Sequence, residues 1–235
     1  MPISRRRLIL VFGAVLVILA AVNVADKYGP RHTGLVAGPL VALALLFLAR
    51  RAGLSWHDLG MSRRTLLPGL KYAVGAVLAV ALVYGAGIAL PWTRPAFHDV
   101  RYQLHLSAAL LTAFVVVPIG TVLLEEVAFR GVLPGLVRKH RGAAWASITS
   151  SVLFGMWHIL PSLRLGQANQ AVGAVFGASP IWPVLGAVAF TALAGLLLCE
   201  LRRRSGSLLA AAGLHWATNG LGLLLAAALA TTRLA

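Results

Sequence analysis

The chain has 235 residues, 59% hydrophobic and only 11% charged, with a net charge of +15 and a mean hydropathy of +0.85. A soluble domain of this length could not hide so much apolar surface, so the composition predicts an all-α, polytopic transmembrane bundle. The positive charge does not point to nucleic acid, because the basic residues fall in short clusters between apolar runs. The single cysteine, Cys199, excludes an intrachain disulfide, and its apolar surroundings give it a packing role.

Seven apolar stretches are predicted as spans, taken in chain order. The first, 8–25, follows Arg5-Arg6-Arg7 and could be a signal peptide. Ala20-Ala21-Val22-Asn23-Val24-Ala25 is a poor cleavage region, so a retained span is expected. The second is 33–49. The loop after it, Arg50–Arg64, contains Trp56, His57 and Asp58 and reads as interfacial. The third span is 67–91. A loop with Trp92, His98, Asp99 and Tyr102 follows, either a connector or a short lid. The fourth span, 107–137, contains Pro118 and should kink or tilt. The fifth is 143–161, and a stretch rich in Gly, Gln and Asn links it to the sixth, 180–201. The seventh is 206–230. No internal repeat is evident, which argues against an inverted-repeat transporter. Residues 1–106 hold three spans without a motif. Residues 107–235 hold the polar motifs, and the two regions are read as one integrated bundle.

Lysine and arginine placement sets the expected orientation. With the N-terminus cytoplasmic, the inside holds Arg5, Arg6, Arg7, Arg50, Arg51, Arg63, Arg64, Lys71, Arg138, Lys139, Arg141, Arg202, Arg203 and Arg204. The outside holds only Lys27, Arg31, Arg94, Arg101, Arg164 and Arg233. Seven spans then leave the C-terminus outside. The small, arginine- and alanine-rich chain suggests a bacterial inner membrane.

The spans carry an unusual polar set. The chain has six acidic residues, and Glu125 and Glu126 stand side by side in an apolar run. A carboxylate in hydrocarbon costs about 3 kcal/mol or more, so such acids face a bundle interior or a watery cavity. Glu126 and Arg130 are i,i+4 on a helix and can pair. Glu125 is rotated about 100° from Glu126 and is free for a different role. Phe154 and His158 share one helix face, and Gly155 permits close helix approach. His215 and Asn219 share a face of the last span. Taken singly, these motifs read as a structural ion pair, an interfacial histidine and interhelical glue. Taken together they read as a site. Counted inward at about 1.5 Å per residue, Glu125, His158, His215 and Asn219 lie about 18, 23, 15 and 21 Å from one membrane face. That is one layer near the middle of a core about 30 Å thick.

Two chemistries fit this set. Glu125 could act as general base on a water positioned by His158, with His215 and Asn219 donating to the oxyanion. Alternatively Glu125, His158 and His215 could bind zinc, and the metal would activate the water. The sequence has neither His-Glu-x-x-His nor Gly-x-Ser-x-Gly. Ser150 and Ser151 read as helix-packing residues.

Three motifs, Glu125-Glu126-x-x-x-Arg130, Phe154-x-x-x-His158 and His215-x-x-x-Asn219, occur in an order that resembles the CPBP family. These are the CAAX protease and bacteriocin-processing intramembrane endopeptidases, also called ABI. The resemblance covers about 107–225. It implies a glutamate-dependent protease in which Glu125 and His158 activate water and His215 and Asn219 form the oxyanion site. Glu126, Arg130 and Phe154 would support them. No cofactor is assigned, with zinc as the alternative. The implied partners are a membrane-associated peptide or protein substrate and the lipid bilayer, not nucleic acid. A proton pathway and a non-catalytic immunity protein are the rival readings.

Overall fold

A computed structural model describes residues 5–30, 32–177, 179 and 181–231. Arg31 and Arg233, two of the outward basic residues, and residue 180, the first of the sixth stretch, lie outside the described residues. Among the described residues the chain is all α-helical, without a strand. Helix α1 spans Arg5–Tyr28, α2 Thr33–Arg51 and α3 Leu66–Ala89. One helical run of 57 residues, Leu106–Ser162, follows. It breaks at Gly142, whose φ of 80° and ψ of 178° suit only glycine. The break gives α4 (106–141) and α5 (143–157). Helix α6 spans Ile181–Ser205, and α7 spans Leu208–Ala230. Six described helices are long and apolar enough to cross a membrane. The longest of them contains two of the seven predicted stretches.

Several boundaries differ from the sequence reading, and two of them have a clear local reason. Helix α4 continues past Val137 because its basic turn has a partner. Arg138 and Lys139 reach Asp58 at 3.3 and 3.1 Å. Helix α5 ends at Trp157, before the expected 161. There the His158 ring Nδ1–H donates to the Phe154 carbonyl at 2.8 Å, and a side chain takes over an end-of-helix acceptor. Pro118 does not interrupt α4. The helix widens over Thr112–Val122, and the Leu123 N–H reaches back five residues to the Pro118 carbonyl. Similar widening covers Val127–Val132 and Ala217–Leu221.

Small residues bring the helices together. A Cβ on Gly155 would lie 2.7 Å from the Val188 carbonyl oxygen and 3.0 Å from the Ala192 Cβ of α6. Gly34 and Gly38 of α2 meet the Gly120 carbonyl of α4 in the same way. One apolar cluster joins Val15 and Leu19 of α1, Leu45 of α2, Phe129 and Leu133 of α4, Phe154 of α5 and Leu198 of α6. The outward faces are apolar too: Leu82 is 75% exposed and Phe190 71%. Exposed apolar faces on α1 to α6 suit lipid, and the protein is an integral membrane bundle.

At one end of the bundle, the loop after α2 folds onto α4 and α6. The Asp58 carboxylate accepts from the Ser55 backbone N–H and hydroxyl at 2.9 and 2.7 Å. The guanidinium of Arg202 donates to the His57 and Asp58 carbonyls. At the other end, the loop after α3 is tied to the α5–α6 connection. Asn169 donates to the Ala96 carbonyl, and His98 bonds Gln170, both at 2.8 Å.

Two outcomes test this packing. Gly155→Ala should lower stability by about 1–3 kcal/mol, because backbone of α6 must move. Gly75→Ala on α3, where a Cβ meets nothing within 4 Å, should be neutral or stabilise by up to about 1 kcal/mol. Unfolding of both variants in detergent measures the contrast. For Asp58, partial burial raises the carboxyl's pKa, but the Ser55 bonds and the Lys139 ammonium outweigh it and lower the value from 3.8 to about 2. A lowered carboxyl stabilises the fold above its unfolded pKa, and this contribution is lost as pH falls toward about 2. Asp58→Asn should therefore be less stable than wild type at neutral pH, with the gap closing between about pH 4 and 2. A pH series of melting temperatures checks this.

Candidate active site

The acidic pair is buried: Glu125 is 5% exposed, Glu126 2% and Arg130 1%. Leu123–Glu126 is a short α-helical stretch between two widened turns, so its adjacent side chains diverge as on an ordinary helix. Glu126 turns toward Arg130, whose Nη1 donates to its Oε1 at 3.2 Å. The same oxygen accepts from His215 Nδ1 at 2.7 Å. A carboxylate can only accept, so Nδ1 carries the proton and Nε2 the lone pair in neutral His215. The Arg130 guanidinium lies 3.9 Å over the Phe154 ring. Phe154 also meets the rings of His158 and His215 edge-on, with centroids 4.6 and 5.8 Å apart.

Glu125 takes the other direction. Its Oε1 accepts from the Trp157 indole N–H at 2.9 Å. Its Oε2 lies 3.6 Å from His215 Nε2, beyond a hydrogen bond, and has no other partner among the described residues. Glu125 lines a cavity of about 680 Å³ together with Trp157, His158 and Asn219. His158 holds its Nδ1–H on the Phe154 carbonyl, which leaves Nε2 as an acceptor. The structure thus brings Glu125, His158 and Asn219 to one cavity wall. It places His215 behind Glu125, outside that lining. Glu126, Arg130 and Phe154 form the layer underneath.

Several contributors are not singled out by periodicity. Trp157 is one, although a buried indole N–H in an apolar run needs an acceptor, and only a few polar side chains are at hand. Asn23 of α1 is another: its amide donates to the Trp157 carbonyl at 2.9 Å. Its signal is a lone amide inside the first span. Ser150 donates to the Phe129 carbonyl and Ser151 packs on Cys199, 3.9 Å between Oγ and Sγ, so both serines join helices. Arg101 and Tyr102 reach the cavity from the loop after α3. Asp99 holds the Arg101 guanidinium with bonds of 2.9 and 2.6 Å.

Among the described residues no group of three His, Cys, Asp or Glu side chains is arranged to hold a metal ion. The Nδ1 atoms of both histidines are engaged.

No curated protein and no solved structure matches the chain. The family model described as Type II CAAX prenyl endopeptidase Rce1-like matches residues 105–221, about half of the chain. That stretch contains Glu125, Glu126, Arg130, Phe154, His158, His215 and Asn219. By this match and its three ordered motifs, the chain belongs to the CPBP family of CAAX-protease-like intramembrane endopeptidases.

Proposed function

We propose that the protein hydrolyses peptide bonds of membrane-associated peptides or proteins, with Glu125 as general base. The observation that carries this reading is the state of Glu125. Its carboxylate is buried, one oxygen is held by Trp157, the other has no hydrogen-bond partner among the described residues, and the residue lines a large cavity together with His158 and Asn219. Glu126 also leaves one oxygen unpartnered, but it does not line the cavity. A base needs spare acceptor capacity beside the space that takes the substrate, and Glu125 has both.

In this mechanism a water sits between the Glu125 carboxylate and His158 Nε2. Glu125 takes one proton from it as the oxygen attacks the scissile carbonyl. The Asn219 amide donates to the developing oxyanion. Collapse breaks the C–N bond, and the proton held on Glu125 passes to the leaving amine. The products are a carboxylic acid and an amine, and Glu125 is restored. His215 Nε2, 3.6 Å from Glu125 Oε2, closes to a hydrogen bond when Glu125 holds the proton. His215 therefore serves the base here, and Asn219 serves the oxyanion. Glu126 holds His215 in the tautomer this requires.

The distribution of lysine and arginine supports a cytoplasmic N-terminus and, for seven spans, an outside C-terminus, and the small, arginine- and alanine-rich composition supports a bacterial inner membrane. A zinc-dependent version would draw Glu125, His158 and His215 onto one ion, so the test includes a chelator.

Purified protein in liposomes, offered membrane-anchored peptides, should cleave them. Glu125→Gln should lower the rate by about 10²–10⁴-fold while leaving the melting temperature close to wild type. Cleavage by Glu125→Gln at the wild-type rate would remove Glu125 from the base role. Loss of wild-type activity on chelation, restored by zinc, would favour the metal. Arg130→Ala should cost about 3–5 kcal/mol of stability and most of the activity, because it strands Glu126 as a buried charge. An unchanged melting temperature would show that this ion pair is not what holds the site.

A further inference from the structure

On the other side of Arg130, toward the end of the bundle that carries the basic turns, lies a second cavity of about 170 Å³. Arg130, Arg138, Arg202 and Arg203 line it, with Asp58 as its carboxylate. Two of these cations are already matched. Arg138 pairs with Asp58 at 3.3 Å, and Arg203 with Glu200 at 2.6 Å. The other two are not. Arg130 spends only Nη1 on Glu126. Its Nε and Nη2 have no acceptor among the described residues, although its side chain is 0% exposed. Arg202 is 9% exposed and forms no carboxylate pair among the described residues. Its Nη2 donates to two backbone carbonyls, and its Nε has no acceptor.

A loop tether to two carbonyls needs a donor but not a charge. A guanidinium buried on backbone carbonyls, with the nearby Asp58 carboxylate already engaged by Arg138 and Lys139, is an expensive way to make one. Gly60, at φ +77°, faces the Arg202 guanidinium where any Cβ would collide, so the loop leaves room for the fork. Planar guanidinium groups with spare N–H donors in a small cavity match a tetrahedral oxyanion. The volume admits one, since a phosphate fills the space of a few waters at about 30 Å³ each.

We propose that this cavity binds an anion of the phosphate class, either a lipid headgroup phosphate or free phosphate, through Arg202 and Arg130 with Arg138 at the rim. The site is separate from the peptide-hydrolysing reading and is read out by binding, so each can fail without the other. The test follows thermal unfolding of the full chain in maltoside detergent micelles, whose headgroups carry no phosphate, in neutral buffer without phosphate. Added inorganic phosphate should raise the melting temperature saturably, and chloride at matched ionic strength should not. If the source is lipid, micelles doped with phosphatidylglycerol should raise it without added phosphate and abolish the phosphate response. If the source is free phosphate, phosphatidylglycerol should have no effect. Arg202→Gln should weaken the response by about tenfold or more. Arg138→Gln, at the exposed rim, should weaken it less and serves if Arg202→Gln does not fold. The proposal fails if neither phosphate nor phosphatidylglycerol shifts the melting temperature, if chloride matches phosphate, or if both variants respond as wild type does.

Discussion

Everything at the site depends on the carboxylate of Glu126, which is 2% exposed inside an apolar bundle. An ion there is tolerable only with charged or strongly polar partners. It has two, and both use the same oxygen: Arg130 at 3.2 Å and His215 at 2.7 Å. Arg130 comes from the same helix one turn on, so that half of the arrangement is local. His215 comes from α7, so the other half pins the last helix to the fourth. The third helix is held by a softer contact, Phe154 of α5 under the Arg130 guanidinium. One carboxylate thus sets the rotation of α7 and fixes the His215 tautomer. Through Arg130 it also seats the α5 turn that carries Trp157 and His158.

This division explains why the two adjacent glutamates have different surroundings. Their backbone is ordinary α-helix for four residues, Leu123–Glu126, between turns of wider bonding on either side. Within that stretch a step of one residue is a rotation of about 100°. Glu126 therefore faces the ion pair and Glu125 faces the cavity. A widened turn also enters the last motif. Asn219 lies in the widened segment Ala217–Leu221, whereas His215 lies in the α-helical segment before it. The change of winding falls between them. It accompanies their separation, Asn219 on the cavity wall and His215 behind Glu125. Such winding changes are common at functional sites, and here one falls within each of the two motifs.

The parts of the site legible in the sequence are those that one helix determines by itself. Glu126–Arg130 and Phe154–His158 are four apart, and the helical repeat alone brings each pair to one face. Gly155 marks a close approach for the same kind of reason: no Cβ is available to hold a neighbour off. Apolar run length was enough to read the all-α membrane bundle. What periodicity could not supply is the rotation of one helix about its axis relative to another. The indole of Trp157 on Glu125 and the amide of Asn23 on the Trp157 carbonyl depend on that rotation. So does the place of His215 between two carboxylates. The end of α4 was misplaced for a related reason. A basic turn reads as a loop until its partner is known, and Asp58, eighty residues earlier, cannot be matched to Arg138 by spacing.

The first two helices carry no motif, yet they complete the cavity. Val22, Asn23 and Asp26 of α1 and Gly34 and Gly38 of α2 form part of its wall. Gly34 and Gly38 also let α2 lie against the widened part of α4, where the Gly120 carbonyl is close enough to exclude a side chain. The stretch that matches the family therefore holds the reactive groups, while the helices before it help to shape the cavity those groups face. Glu125 needs both. A carboxylate with a free oxygen is costly in a dry bundle, and it persists only where the surrounding helices leave a polar cavity beside it. The wall from α1 and α2 helps to enclose that cavity, and the ion pair beneath Glu125 keeps the neighbouring helices in register around it.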